Sequence, residues 1–443
     1  MHVNRLGRAR KRASIGLAVT ALLGAAVAAA GPAGATQNSA KDAPAAAAPA
    51  CSADYRIEQT VDGGTTWRMC WHYNTNAGLV LDNISYQPKN EPKPIPVLTS
   101  ARLAQVHVPY DDGENEYQDI TGASFGTDLL PLKPAECPGG TIKTVKVGNS
   151  SPIPGGKVKG LCTTTRARGH AYRMTPDIYE NPEKIYQAQG KDLLVYTVNQ
   201  ASWYEYITEW RFSSDGTITS NVGATGSLSP SDYNGTDGRG WPIGKGASDY
   251  AESHSHNVSW RLNFGLDGSP KAKVEQYDSK VTPPTGNGQP KTKTTRTPVT
   301  KELIGDVKGM RWWRVVSTAG KNADGHPRSY EIVPGRSVKH PGRAYSNHDV
   351  YFTEYKKCEQ YTSDNLSSNC GPKSVDKWVN GQTLKHPITW VNIGFHHVAR
   401  DEDQQPMPVH WQGFSIAPRD VTAMNPLTPA DLAGQNGNPE GGS

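Results

Sequence analysis

His254 and His256 stand two residues apart at the head of an alternation that continues through Val258, Trp260, Leu262 and Phe264. In an extended strand, alternate side chains share a face, so both imidazoles lie with the apolar residues. Ser255, Asn257, Ser259, Arg261 and Asn263 fall on the opposite face. The segment ending at Val398 repeats the pattern, with Thr389, Val391, Ile393, Phe395 and His397 on one face and Trp390, Asn392, Gly394 and His396 on the other. An inward pair of imidazoles joined by a third from another strand makes a neutral nitrogen set suited to copper or zinc. A lone inward histidine is more often a core residue with a hydrogen-bond partner. Three of them, two at metal-compatible spacing, permit a metal site without naming the metal.

A third segment splits the same way: Tyr204, Tyr206, Thr208, Trp210 and Phe212 share a face, and Trp203, Glu205, Ile207, Glu209 and Arg211 share the other. Taken alone, Tyr204 is a tyrosine packed in a core. Asp119, one of 42 acidic residues, has nothing local that marks it as a base.

The elements that would carry these residues are strands. Short runs rich in Val, Ile, Thr, Tyr and Trp alternate with Gly, Pro, Asn and Asp clusters, and helical periodicity is scarce, which predicts an all-β fold. Asp215-Gly216 and Asp267-Gly268 follow aromatic strand patterns as hairpin turns do. Residues 278–300, rich in Pro, Gly, Lys and Thr, read as a long surface loop, and the basic cluster at 291–296 as solvated within it. The net charge of +5 is spread without a concentrated basic face, so no nucleic-acid partner is expected.

Residues 1–35 carry a basic start, an Ala-rich apolar run and Ala33-Gly34-Ala35, the form of an export signal cut off on secretion. The run is too weakly apolar for a membrane anchor, and an extracellular protein is expected. Residues 36–50 read as a flexible leader, 51–428 as the folded domain and 429–443 as a loose tail. Six cysteines in an exported chain suit three disulfides, with neighbour pairing (Cys51 with Cys70, Cys137 with Cys162, Cys358 with Cys370) as the expectation among several connectivities. No CxxC spacing occurs.

Taken in order, the segments resemble the catalytic domain of copper amine oxidases over residues 67–426. Gly78-Leu-Val-Leu81 and Val108-Pro-Tyr110 are similar to the segments before the family's base. Trp203-Tyr204-Glu205-Tyr206 resembles the signature whose first tyrosine becomes topaquinone (TPQ), and Val222-Gly-Ala-Thr-Gly226 and His254-Ser-His256 follow in the family's order. His397 with Arg400, Glu402-Asp403 and Met407-Pro-Val409 completes it. The resemblance implies a large β-sandwich that binds copper(II) through His254, His256 and His397, with Tyr204 modified to topaquinone. It further implies Asp119 as general base, Tyr110 orienting the quinone, Tyr117 as substrate gate, a Cys137–Cys162 disulfide and a homodimer. The implied activity is oxidative deamination of a primary amine, with oxygen as acceptor, to aldehyde, ammonia and hydrogen peroxide.

Three departures stand out. Trp203 occupies the family's asparagine position, and strand alternation would turn it away from the face of Tyr204. Asn263 and His386 occupy the positions of two peripheral calcium aspartates, so that second site loses its hard carboxylate ligands and calcium is expected to matter little. The family's smaller N-terminal domains find no counterpart in this chain. The competing expectations are a secreted copper-binding β-sandwich that leaves Tyr204 unprocessed and, from eleven tryptophans, a carbohydrate-binding sandwich.

Overall fold

The computed structural model describes residues 51–432 except 90, 124, 149–155, 177–178, 231–239 and 285. The expected export signal, the leader and the tail beyond 432 lie outside the described residues. What is described is a β-sandwich. One sheet has nine strands, in the order Arg56–Val61, Thr65–Asn74, Gly78–Gln87, Ile95–Pro109, His254–Phe264, Pro387–His397, Val350–Glu354 and Leu303–Gly305, with Glu116–Gln118 beside Ile95–Pro109. The other has ten: Lys291–Val299, Ala272–Thr282, Trp312–Lys321, Pro327–Pro334, Met407–Arg419, Ile218–Gly226, Tyr204–Ser213, Tyr186–Ala201, Lys157–Met174 and Thr141–Lys146. The pairings within both sheets are antiparallel, as in the strands 254–264 and 387–397. Among the described residues the only α-helix is the four-residue Val375–Trp378.

Aromatic side chains fill the space between the sheets. Trp67 of the first packs on Phe212 of the second with ring centroids 5.2 Å apart, and Trp260 on Phe414 at 5.1 Å. Trp67 also donates its indole N–H to the Ser213 carbonyl (2.9 Å), so the sheets are joined by a polar link as well as by apolar burial.

The strand His254–Phe264 is buried at every position. Its apolar face meets the sandwich interior, and its polar face is covered by the segment that runs over the sheet. There Ser259 hydrogen-bonds Thr362 (2.6 Å), Arg261 donates to the Glu359 carbonyl (3.1 Å), and Asn257 accepts from the His340 amide (3.3 Å). Each buried polar side chain thus recovers a partner lost from water. The disulfides join Cys51 to Cys70, Cys137 to Cys162 and Cys358 to Cys370, the neighbour pairs expected.

Two local expectations change. Residues 278–300 are a hairpin, with Lys291–Val299 paired to Ala272–Thr282 at the edge of the second sheet. Both faces of that edge strand are exposed, so no apolar alternation marks it, and its Lys and Arg charges oppose further strand addition. Asp215-Gly216 does turn a hairpin between Tyr204–Ser213 and Ile218–Gly226. Asp267-Gly268 instead carries the chain from one sheet to the other, with both residues at positive φ. Asp267 is held there by Arg328 (2.9 Å) and Ser317 (2.6 Å).

Asn263 and His386 are bonded directly to each other, Asn263 Oδ1 lying 2.7 Å from His386 Nε2. Glu354, the nearby carboxylate, is occupied by the Lys385 and His386 amides. A hard cation would have to break these contacts without gaining the carboxylates it favours. Millimolar calcium should therefore leave the melting temperature unchanged, and a clear rise that disappears in Asn263→Ala would contradict this.

Candidate active site

The register of the first sheet sets His254 directly opposite His397 and His256 opposite Phe395. The three imidazoles therefore come from two adjacent strands, and one ring nitrogen of each lies within 4.8 Å of the others. The far nitrogen of each ring has its own partner. His254 Nδ1 faces the Glu252 carbonyl (3.2 Å), His256 Nδ1 the Tyr206 hydroxyl (3.0 Å), and His397 Nε2 the Asp403 carboxylate (2.9 Å). A carbonyl and a carboxylate can only accept, which assigns the proton of His254 and His397 to that far nitrogen. The lone pairs of His254 Nε2 and His397 Nδ1 then face each other at 3.3 Å. His256 Nε2 is buried with no hydrogen-bond partner. Three converging lone pairs, each backed by an outer hydrogen bond, form the donor set of a cation of the copper or zinc type, and the residues fit the metal that the resemblance implies. Burial also pushes the His254 pKa down to about 3 and that of His256 well below the usual range, which keeps both neutral.

The second sheet supplies the tyrosine. Tyr204 opens the strand Tyr204–Ser213, and its hydroxyl lies 2.8 Å from His254 Nε2 and 3.0 Å from His397 Nδ1. Met407 Sδ is 3.9 Å away. The phenol therefore points at the spot where the lone pairs meet. Tyr206, two residues on and on the same face, sits between His256 and Asp119.

Asp119 follows the short strand Glu116–Gln118, which several side chains pin in place. Glu116 accepts from Arg343 Nε (2.8 Å) and bonds His107 (2.7 Å), and Gln118 accepts from Ser363 (2.6 Å). The Asp119 amide then donates to the Val106 carbonyl (2.9 Å). Its side chain is only 8% exposed, and burial pushes its pKa up to about 7, opposed by a hydrogen bond from Tyr206. The rings of Tyr110, Tyr117 and Trp203 close the small cavity that Asp119 shares with Tyr204.

All the residues singled out in the sequence, namely His254, His256, His397, Tyr204, Asp119, Tyr110 and Tyr117, thus gather in one region between the sheets. Trp203 departs from expectation. Alternation fails at it because it is not in the strand: Ser202 and Trp203 form a two-residue hairpin turn between the paired Ala201 and Tyr204, with Ser202 at φ 57°. The turn brings the indole back over the cavity. Gly226, paired with Tyr204, gives this turn room, since a Cβ there would stand 2.5 Å from the Trp203 carbonyl oxygen. Sequence reasoning gave no role to Asp403 or to the Tyr206 hydroxyl. The signal for Tyr206 was its spacing from Tyr204, the same two-residue step as His254 to His256. Asp403 had none beyond its closeness to His397 in the chain.

The family model "Copper amine oxidase, enzyme domain" matches residues 64–433. An Arabidopsis thaliana protein named amine oxidase [copper-containing] gamma 1 is 25% identical over 390 residues, which cover 79% of this chain and 54% of that one. An Arthrobacter globiformis histamine oxidase is 26% identical over 408 residues, covering 84% and 57%. The crystal structure of a copper-containing benzylamine oxidase from Hansenula polymorpha superposes with a TM-score of 0.69 at 20% identity, over 84% of this chain and 62% of that one, a likeness of fold. The chain spans a little over half the length of these two curated relatives. With the family model matched over residues 64–433, which include the strands that carry the histidines and Tyr204 as well as Asp119, this chain belongs to the copper amine oxidase family.

Proposed function

We propose that this chain is a secreted primary amine oxidase, which converts a primary amine, water and dioxygen to an aldehyde, ammonia and hydrogen peroxide. The observation that carries the reading is the convergence of three imidazole lone pairs on the hydroxyl of Tyr204, with a buried carboxyl in the adjoining cavity. Copper(II), held by His254 Nε2, His256 Nε2 and His397 Nδ1, and the topaquinone made from Tyr204 would together supply the Lewis acid, the reactive carbonyl and the acceptor of the substrate's electrons.

The chain's own residues have the remaining tasks. Asp119 is the general base that takes the proton from the carbon bearing the amino group. A carboxylate whose pKa lies near 7 is basic enough to accept that proton and still yields it at neutral pH. Glu252, Tyr206 and Asp403 hold each imidazole in the tautomer that leaves its inward nitrogen free. Tyr110 and Trp203, joined by a hydrogen bond of 3.2 Å, set the wall beside the ring of Tyr204, and Tyr117 gates the cavity. Three disulfides among the described residues fit an oxidising compartment, which supports export. A homodimer is carried over from the family.

The test is amine-dependent peroxide formation. Copper-loaded protein should produce hydrogen peroxide when given a primary amine and air, while protein freed of metal by chelation before any exposure to copper should produce none. Copper-loaded protein that binds metal but forms no peroxide across a panel of primary amines would favour a copper-binding scaffold instead.

A further inference from the structure

Two cavities meet Tyr204, and they differ in size. On the His397 side, Arg400, Asp403, Met407 and His410 line a pocket of about 270 Å³. On the Asp119 side the free volume is only about 20 Å³, room for roughly one water molecule. No amine fits beside Asp119 until something moves.

Three rings, packed edge to face, shut that side. The Tyr117 and Trp203 centroids are 5.9 Å apart at 88°, Tyr110 and Tyr117 5.8 Å at 81°, and Tyr110 and Trp203 6.5 Å at 75°. Tyr110 is buried and forms an isolated bridge to His254, so it is anchored in the sheet. Tyr117 is 36% exposed on a three-residue edge strand, and Trp203 is half-buried on a two-residue turn. The movable part of the wall is therefore Trp203 with Tyr117. The Trp203 indole also donates to the Tyr110 hydroxyl, which latches the closed form.

We propose that Trp203 is a specificity-determining residue: its indole is the lid of the Asp119 chamber, and it favours slender primary amines over those that carry an aromatic ring. The inference rests on the oxidase reading above. A chamber whose closed volume holds one water favours substrates that displace the indole least. Phenyl-bearing amines must displace it fully and break its bond to Tyr110.

Comparison of wild type with Trp203→Asn tests this. The readouts are kcat/KM for methylamine and for 2-phenylethylamine, and the rate at which phenylhydrazine forms its coloured adduct. In the variant, the ratio of kcat/KM for 2-phenylethylamine over methylamine should rise by about tenfold or more, within the range a single steric element gives a pocket. Adduct formation should accelerate similarly. If Trp203→Asn fails to fold, judged by melting and copper binding, Tyr117→Ala removes the ring against which the indole packs and should move the ratio the same way. An adduct that forms equally fast in all the folded proteins, with an unchanged ratio, overturns the lid and means that amines reach the cofactor through the larger pocket on the His397 side. No adduct in any of them overturns the oxidase reading itself, and the lid with it.

Discussion

Asp119→Asn is expected to lower amine turnover by about a hundredfold to ten-thousandfold while leaving copper binding and the colour of the cofactor intact, since an amide cannot take up the α-proton. In the wild type, kcat/KM should climb with pH through about 7 as the buried carboxyl loses its proton, and that limb should vanish in the variant. The same burial makes a separate prediction for metal-free protein. An acid whose pKa rises on folding, here from 3.8 to about 7, binds its proton more tightly in the folded state. Its contribution to stability is whole below 3.8 and is lost as pH rises to about 7. Asparagine carries no such cost, so Asp119→Asn should melt higher than wild type at pH 8, with the gap closing under acid conditions. Near-normal peroxide production by the variant would remove Asp119 from the role of base, whatever the melting curves show.

Much of this site was legible before the fold was known, and the reasons are local. His254 and His256 declare a shared face because strands alternate, and the apolar residues after them say which face is inward. Tyr204 and Tyr206 do the same. What alternation cannot supply is register. Nothing along the chain tells that His254 lies opposite His397, or that Tyr204 of one sheet reaches across to both, because these are pairings over long separations. The family resemblance, not the spacing, brought in Asp119, Tyr110 and Tyr117. Trp203 was misplaced because one left-handed residue, Ser202, turns the chain before the strand begins, and a non-glycine at positive φ leaves little trace in sequence. The edge strand Lys291–Val299 escaped notice for a different reason: with both faces in solvent, it has no apolar period to detect.

Tyr204→Phe carries the largest qualitative effect, because it removes the atom of the second sheet that points at the spot where the histidine lone pairs meet. The phenol oxygen sits within hydrogen-bond distance of two of the three histidines, and Tyr206 stacks beside its ring with centroids 5.8 Å apart. Phenylalanine keeps the ring and its packing, so the fold and the three imidazoles should persist and copper should still bind. Self-processing requires the ring-activating hydroxyl, so the variant should never become an oxidase. Trp203 lines the Asp119 cavity and bonds Tyr110, not a histidine, so it should not prevent processing in the wild type. The deciding measurement is the visible spectrum of metal-free protein given copper and air, followed by phenylhydrazine left to react to completion. Wild type should develop a broad visible band and then a stoichiometric coloured adduct, while Tyr204→Phe binds the same amount of copper and stays colourless. Wild-type protein that binds copper, remains colourless and ignores phenylhydrazine would contradict the account.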